Sequence, residues 1–131
     1  MKTLIIDAVN EKIFLVIITS QNVYTSSYKN SKSNFDKLTI LINEFLKKKS
    51  ISLNEIKKIY VNRGPGSFAG IRASLSIVKG IHLTKRIDYY SFSFSDFIGE
   101  THESLKNWKN LPILCKKYKI KKNLINPLYL S

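Results

Sequence analysis

Apolar residues open the chain in two short runs, Leu4-Ile5-Ile6 and Ile13-Phe14-Leu15-Val16-Ile17-Ile18, with Asp7-Ala8-Val9-Asn10-Glu11 between them. Runs this short, β-branched and separated by polar residues predict two strands of a hairpin. The second run is apolar on both of its alternating faces, which predicts a central strand covered on both sides. After Gln21-Asn22, the segment Val23-Tyr24-Thr25-Ser26-Ser27-Tyr28 alternates with polar residues and suits a third strand at a sheet edge. The period then changes. Phe35, Leu38, Leu41, Ile42, Phe45 and Leu46 fall on one face of a helix predicted over 35–49, and its lysine-rich end complements the negative pole of the helix. Ser52 with Glu55 three residues on forms a capping box for a short helical turn.

Ile59-Tyr60-Val61 predicts a fourth strand, and Ile71, Leu75, Val78 and Ile81 recur at helical spacing over 69–83. Between them lies Arg63-Gly64-Pro65-Gly66-Ser67-Phe68-Ala69-Gly70-Ile71-Arg72, which holds three of the five glycines. Glycine and proline make Gly64-Pro65-Gly66 a tight turn, and Ser67 is placed to cap the helix that follows. Ile87-Asp88-Tyr89-Tyr90 predicts a fifth strand, and Ser91 to Leu105 a helix with Phe94, Phe97 and Ile98 inward. Leu111-Pro112-Ile113-Leu114 reads as an edge strand, where proline is tolerated, and Lys116 to Lys122 as a solvated run.

Three antiparallel strands followed by helix, strand, helix and strand make an α/β protein with a mixed five-stranded sheet. This is the order of the ribonuclease-H-like half of the actin, sugar kinase and Hsp70 (ASKHA) fold. The crossover from strand four to strand five is expected to be right-handed. At 131 residues with 44% hydrophobic positions, the chain is expected to build one core. Residues 1–107 form the main lobe, and 108–131 a short remnant or tail.

Charge adds one further property. The formal net charge of +13 favours attraction to RNA or an anionic surface, but lysine, isoleucine and asparagine are abundant throughout. Genome-wide compositional drift produces the same excess, so the sequence leaves both origins open. Arginine is rare, yet Arg63 and Arg72, two of the three, flank the glycine turn, where lysine would not supply a planar fork. Cys115 is the single cysteine and is read as a buried thiol. Asp7 and Glu11 interrupt any apolar run of signal-peptide length, and no stretch approaches a membrane span, so a cytoplasmic protein is expected.

A strand, a glycine turn and a capped helix start can aim backbone N–H groups at a phosphate. The same arrangement also serves packing alone, and the spacing is neither that of a Walker loop nor that of a dinucleotide fingerprint. Other chemistries are weakly supported. A ribonuclease-H-like nuclease needs several carboxylates around two metal ions, and only Asp7 and Glu44 are plausibly placed. His82 and His102-Glu103 do not supply the H-E-x-x-H spacing of a zinc site. No metal or cofactor is expected. A basic RNA-binding module is the alternative reading, resting on Lys116, Lys117, Lys119, Lys121 and Lys122 around Tyr118.

The run Gly-Pro-Gly-Ser-Phe-x-Gly-Ile-Arg after a short strand resembles the signature of the TsaB, or YeaZ, family of the bacterial tRNA threonylcarbamoyladenosine pathway. The resemblance extends over Met1 to about Asp88, and Leu4-Ile5-Ile6-Asp7 looks like the family's first strand. Ala8, Val9 and Ala69 stand where hydroxyl groups are usual, which leaves Asp7 in no more than a vestigial nucleotide site. Asn126-Pro127-Leu128-Tyr129-Leu130 resembles the family's C-terminal ending, so the pattern is expected to reflect an internal loss of the second subdomain. Enzymes of the superfamily enclose nucleotide between two lobes, and a one-lobed chain is not expected to do so.

The resemblance implies a non-catalytic subunit that dimerises with and activates a TsaD-type catalytic subunit. That partner transfers threonylcarbamoyl to an adenosine of tRNAs reading codons that begin with A. A TsaE-type ATPase binds the pair, contact with tRNA is indirect, and a homodimer is an alternative assembly. The implied interface lies on the two helices 35–49 and 69–83. Small and aliphatic residues of the second helix, Gly70, Ala73, Ser74, Ile77, Gly80 and Ile81, permit close approach. Ile71, Leu75 and Val78 on that helix, with Leu41 and Phe45 on the other, are expected to be exposed in the free protein. Arg63 and Arg72 are candidates for ion pairs or phosphate contacts across the interface.

Overall fold

A computed structural model describes residues 1–129; Leu130, part of the closing motif above, lies outside the described residues. The expected strands form β1 (Lys2–Asp7), β2 (Lys12–Ile18), β3 (Val23–Lys29), β4 (Ile56–Asn62) and β5 (Asp88–Phe92). They make one mixed sheet in the order β3-β2-β1-β4-β5. β1–β2 and β2–β3 pair antiparallel, β1–β4 and β4–β5 parallel. β2 is central and largely buried, as its two apolar faces require.

Strand alternation divides the core into two layers. Leu4, Ile6, Ile13, Leu15, Ile17, Ile59, Val61 and Tyr89 face one cluster, which α2 (Leu38–Lys48) and α3 (Phe68–Lys85) cover. Ile5, Val16, Tyr60 and Phe92 face the other, covered by Phe97 and by α5 (Leu111–Lys117). The remnant expected over 108–131 thus contributes Leu111, Leu114 and Cys115 to the second layer. Beyond α5 the chain runs along the outer edge of β5: Asn123 N–H donates to the Tyr89 carbonyl at 2.7 Å, and Tyr89 N–H to Asn123 Oδ1 at 3.0 Å. An otherwise open sheet edge is covered in this way.

Three expectations about local structure are corrected. The single helix over 35–49 is two pieces, α1 (Lys32–Asp36), capped by Ser31, and α2, because Lys37 leaves helical geometry at φ −113°. Residues 91–105 do not form a helix. Ser93 and Asp96 make a capping box around the 3-10 turn Phe94–Asp96, Gly99 takes φ +89°, and only α4 (His102–Lys106) is α-helical. Short polar side chains there bond to neighbouring backbone in competition with the helical ladder. The phenylalanines pack on one another instead, with the Phe92 and Phe94 rings 5.3 Å apart and Phe92 and Phe97 6.1 Å apart.

Leu111-Pro112-Ile113-Leu114 opens α5 rather than forming a strand. Proline belongs in a first helical turn, where its missing N–H has no partner to lose, and Leu111, Leu114 and Cys115 then fall on one inward face. The capping box at Ser52 forms as expected: Glu55 Oε2 accepts Ser52 N–H at 2.7 Å.

The exposed stripe expected on the two helices is also corrected. Ile71 and Val78 are 0% exposed, Leu75 4%, Leu41 5% and Phe45 2%. One sheet face this wide needs both helices' apolar stripes to cover it, and these five residues supply them. Leu75→Ala is accordingly expected to cost about 2–5 kcal/mol through lost burial and a cavity, read as a lower urea midpoint at unchanged m-value.

Candidate functional site

The glycine-rich stretch joins β4 to α3 at the end of the sheet where β1 turns into β2. Gly64 sits at φ +113°, a conformation that side chains rarely adopt, and its N–H donates to Asn62 Oδ1 at 2.9 Å. Ser67 caps α3 as expected, accepting Gly70 N–H at 3.2 Å, while its own N–H donates to the Val9 carbonyl at 2.8 Å. A Cβ at Gly70 would overlap the Ala8 carbonyl oxygen. The helix start therefore rests directly on the β1–β2 turn, at a separation that only glycine allows.

This arrangement fits the packing reading of the stretch. The N–H groups of Gly64, Ser67 and Gly70 are bonded within the chain, and the backbone of Ala8, Val9 and Leu128 fills the space beside the three glycines. Pro65 has no N–H to offer.

Asp7, at the end of β1, is 4% exposed and accepts Asn62 Nδ2–H at 3.1 Å and Val9 N–H at 3.4 Å. Burial raises its carboxyl above the usual aspartate range, and the two hydrogen bonds oppose that shift. Among the described residues, no three His, Cys, Asp or Glu side chains gather where they could hold a metal ion.

Arg63 does use its planar fork, but within the chain. Its NH2 group lies 2.6 Å from Asp96 Oδ1, its Nε donates to Asp96 Oδ2 at 3.4 Å, and NH1 donates to the Asn126 carbonyl at 3.1 Å. Leu128 N–H returns a hydrogen bond to the Arg63 carbonyl at 2.8 Å. The expectation that Arg63 is free for a partner is thereby corrected: it ties the C-terminal segment to the turn. Arg72 is exposed, with its guanidinium 5.3 Å from the centre of the Phe68 ring, and that ring packs on Tyr129 at 4.8 Å.

The remaining predicted interface residues divide by depth. Gly70 and Ser74 are buried, and Ser74 donates its hydroxyl to the Gly70 carbonyl at 2.8 Å. Ala73, Ile77 and Ile81 are half-buried at the margin of the first core layer. Ile77 and Ile81, with Gly80, line a groove of about 400 Å³ between α3 and α2. Its other wall is Thr39, Ile42 and Asn43 of α2, with Leu53 beyond. Nothing lies within 4 Å of a Cβ built on Gly80, so the groove floor is open there. Sequence reasoning missed Thr39, Asn43 and Leu53; the i, i+4 spacing of Thr39 and Asn43 beside the buried face was the available signal.

Two substitutions test this geometry. Gly70→Ala should lose about 1–3 kcal/mol by forcing a Cβ against backbone, whereas Gly80→Ala should gain about 0.4–1 kcal/mol, both read by urea denaturation. For Asp7, a folded-state pKa above the unfolded value means that stability falls as pH rises between the two. Asp7→Asn removes that dependence, so the variant's stability relative to the parent should shift upward as pH rises above about 4, the unfolded value.

The family model described as TsaD, tRNA N6-adenosine threonylcarbamoyltransferase, matches residues 19–112. Among characterised proteins, the tRNA threonylcarbamoyladenosine biosynthesis protein TsaB of Buchnera aphidicola subsp. Baizongia pistaciae is 41% identical over 83 residues, covering 55% of this chain and 38% of the relative. The TsaB of Buchnera aphidicola subsp. Schizaphis graminum is 25% identical over 122 residues, covering 93% of this chain and 52% of the relative. The chain thus spans about half the length, or less, of the curated relatives it matches.

Among solved structures, YeaZ from Pseudomonas aeruginosa superposes with a TM-score of 0.65 at 18% identity, covering 70% of this chain and 43% of that one. Thermus thermophilus RuvC, solved with a Holliday junction substrate, superposes with a TM-score of 0.53 at 11% identity, covering 92% and 80%. Both likenesses bear on the fold, and both agree with the ribonuclease-H-like sheet order. With the signature turn, the sheet and the matches in agreement, the chain belongs to the family of the TsaD model and is a TsaB/YeaZ member of it.

Proposed function

We propose that this chain acts in tRNA N6-threonylcarbamoyladenosine synthesis as a non-catalytic subunit, pairing with a TsaD-type catalytic subunit and activating it. The observation that carries this reading is the groove between α2 and α3. It lies on the two helices that the family resemblance implicates, it is apolar along Ile42, Leu53, Ile77 and Ile81, and Gly80 lets another helix approach the backbone closely. Ile40 at 55% exposure and Leu83 at 68% extend the apolar surface of the same two helices. Burial of such side chains against a partner is the main favourable term in forming an interface.

Several features support a supporting rather than a chemical role. Asp7 is spent on Asn62 and Val9, and the signature turn is packed from within. A TsaE-type ATPase would join the assembled pair, with the chain placed in the cytoplasm. No helix among the described residues is long and apolar enough to cross a membrane. The interface is accordingly assigned to Ile77, Gly80 and Ile81 facing Thr39, Ile40 and Asn43, while Leu41, Phe45, Ile71, Leu75 and Val78 hold the helices in place beneath it.

Co-expression with the TsaD-type subunit of the same organism, followed by size-exclusion chromatography, tests the pairing. The two chains should co-elute at micromolar concentration. Gly80→Glu should keep the isolated chain's thermal midpoint within about 2 °C of the parent, since Gly80 is exposed and open, and should weaken co-elution at least tenfold. Separate elution of the parent chains, or a homodimer that excludes the TsaD-type subunit, would overturn the proposal.

A further inference from the structure

On the opposite face of the sheet from the α2/α3 groove, α5 and the lower ends of β4 and β5 enclose a second pocket of about 510 Å³. Three lysines line it, Lys58 from β4 and Lys116 and Lys119 from the end of α5, and none of its lining residues is acidic. Tyr90 forms part of the wall. Its ring stacks on that of buried Tyr60, with centroids 5.1 Å apart and planes 17° from parallel, and Lys58 Nζ lies 5.7 Å from the Tyr90 ring centre.

Nearby, Lys117 pairs with Glu100 at 2.7 Å and Lys122 with Asp88 at 3.6 Å, whereas Lys57 and Lys121 are without such a pair among the described residues. Among the described residues, Lys58, Lys116 and Lys119 have no carboxylate within ion-pair distance. Backbone geometry also places them. Ile120 N–H donates to the Cys115 carbonyl at 2.9 Å and Lys119 N–H to the Lys116 carbonyl at 3.2 Å, the paired bonds of a Schellman cap. Lys119 occupies its left-handed position at φ +56°. The two lysines are thus held at one rim by the turn between them.

A wall bearing a rigid aromatic ring and ringed by unpaired cations offers two complementary contacts, stacking for a base and charge for the phosphates that flank it. A folded acidic protein surface has use for the second contact but not the first. We propose that this pocket binds single-stranded RNA, with a base against Tyr90 and backbone phosphates on Lys58, Lys116 and Lys119. The site uses the face that the α2/α3 interface leaves untouched, so it does not rest on pairing with a TsaD-type subunit. It also differs from the solvated lysine run expected from sequence, because Lys58 comes from a distant strand and Lys117 is committed to Glu100.

Fluorescence anisotropy with a labelled single-stranded RNA 12-mer, using the isolated full chain, tests the site. Three phosphate contacts predict a slope of log affinity on log salt of about −2, a loss of roughly twentyfold between 50 and 200 mM salt. The triple variant Lys58→Gln, Lys116→Gln, Lys119→Gln should flatten that slope and weaken binding at least tenfold. The equally discharged variant Lys47→Gln, Lys48→Gln, Lys49→Gln, at the exposed end of α2, should weaken it less than threefold. Tyr90→Leu, which keeps an apolar contact with Tyr60, should cost about tenfold at all salt concentrations. Equal losses in the two lysine triples would assign the binding to overall charge and overturn the proposal. Absence of binding at 50 mM salt, equal affinity for poly-glutamate, or equal affinity for a mononucleotide would overturn it as well.

Discussion

The fold depends most on the contact between the first turn of α3 and the β1–β2 turn. Gly70 stands against the Ala8 carbonyl, Gly66 against Val9, and Ser67 N–H donates to Val9 across the same seam. A helix brought this close to the sheet buries Ile71, Ser74, Leu75 and Val78 along its length, and α2 must then fill the remaining width of the sheet with Leu41, Ile42 and Phe45. The position of the groove between the helices follows from that seating. What stays outside is the flank of α3 at Ile77, Gly80 and Ile81.

The same contact gives the glycine-rich turn a packing role. Backbone from the β1–β2 turn and from the C-terminal segment lies directly against its glycines, and Arg63 ties that segment to the turn through the Asn126 carbonyl while also pairing with Asp96. Glycines that look alike in sequence therefore serve different ends. Gly64 and Gly70 solve packing problems within the chain, whereas Gly80 has no neighbour to accommodate and leaves a helix backbone open to an approaching surface.

Much of this was legible in the sequence. Five strands, their order and the capped signature helix followed from runs of β-branched residues, the change of period at Phe35, and Ser67 ahead of the apolar stripe. Three kinds of information were missing. Period alone does not separate a short buried strand from a helical turn, and Leu111-Pro112-Ile113-Leu114 became helical because Pro112 fits a first turn and its leucines meet the sheet. Depth is also absent from a helical stripe: Ile71, Leu75 and Val78 read equally well as interface or core until the width of the sheet face is known. Asp96 and Asn126 could not be linked to Arg63 in sequence, since they lie far along the chain and reach it from two separate segments, the turn after β5 and the C-terminal segment.

The two helical faces make the central claim open to direct measurement by hydrogen–deuterium exchange on the isolated chain and on its mixture with the TsaD-type subunit. Association through the α2/α3 groove predicts added protection in residues 39–43 and 77–84 and none in 112–119 on the opposite face. Protection confined to the opposite face, or no change anywhere at saturating partner, would contradict the account.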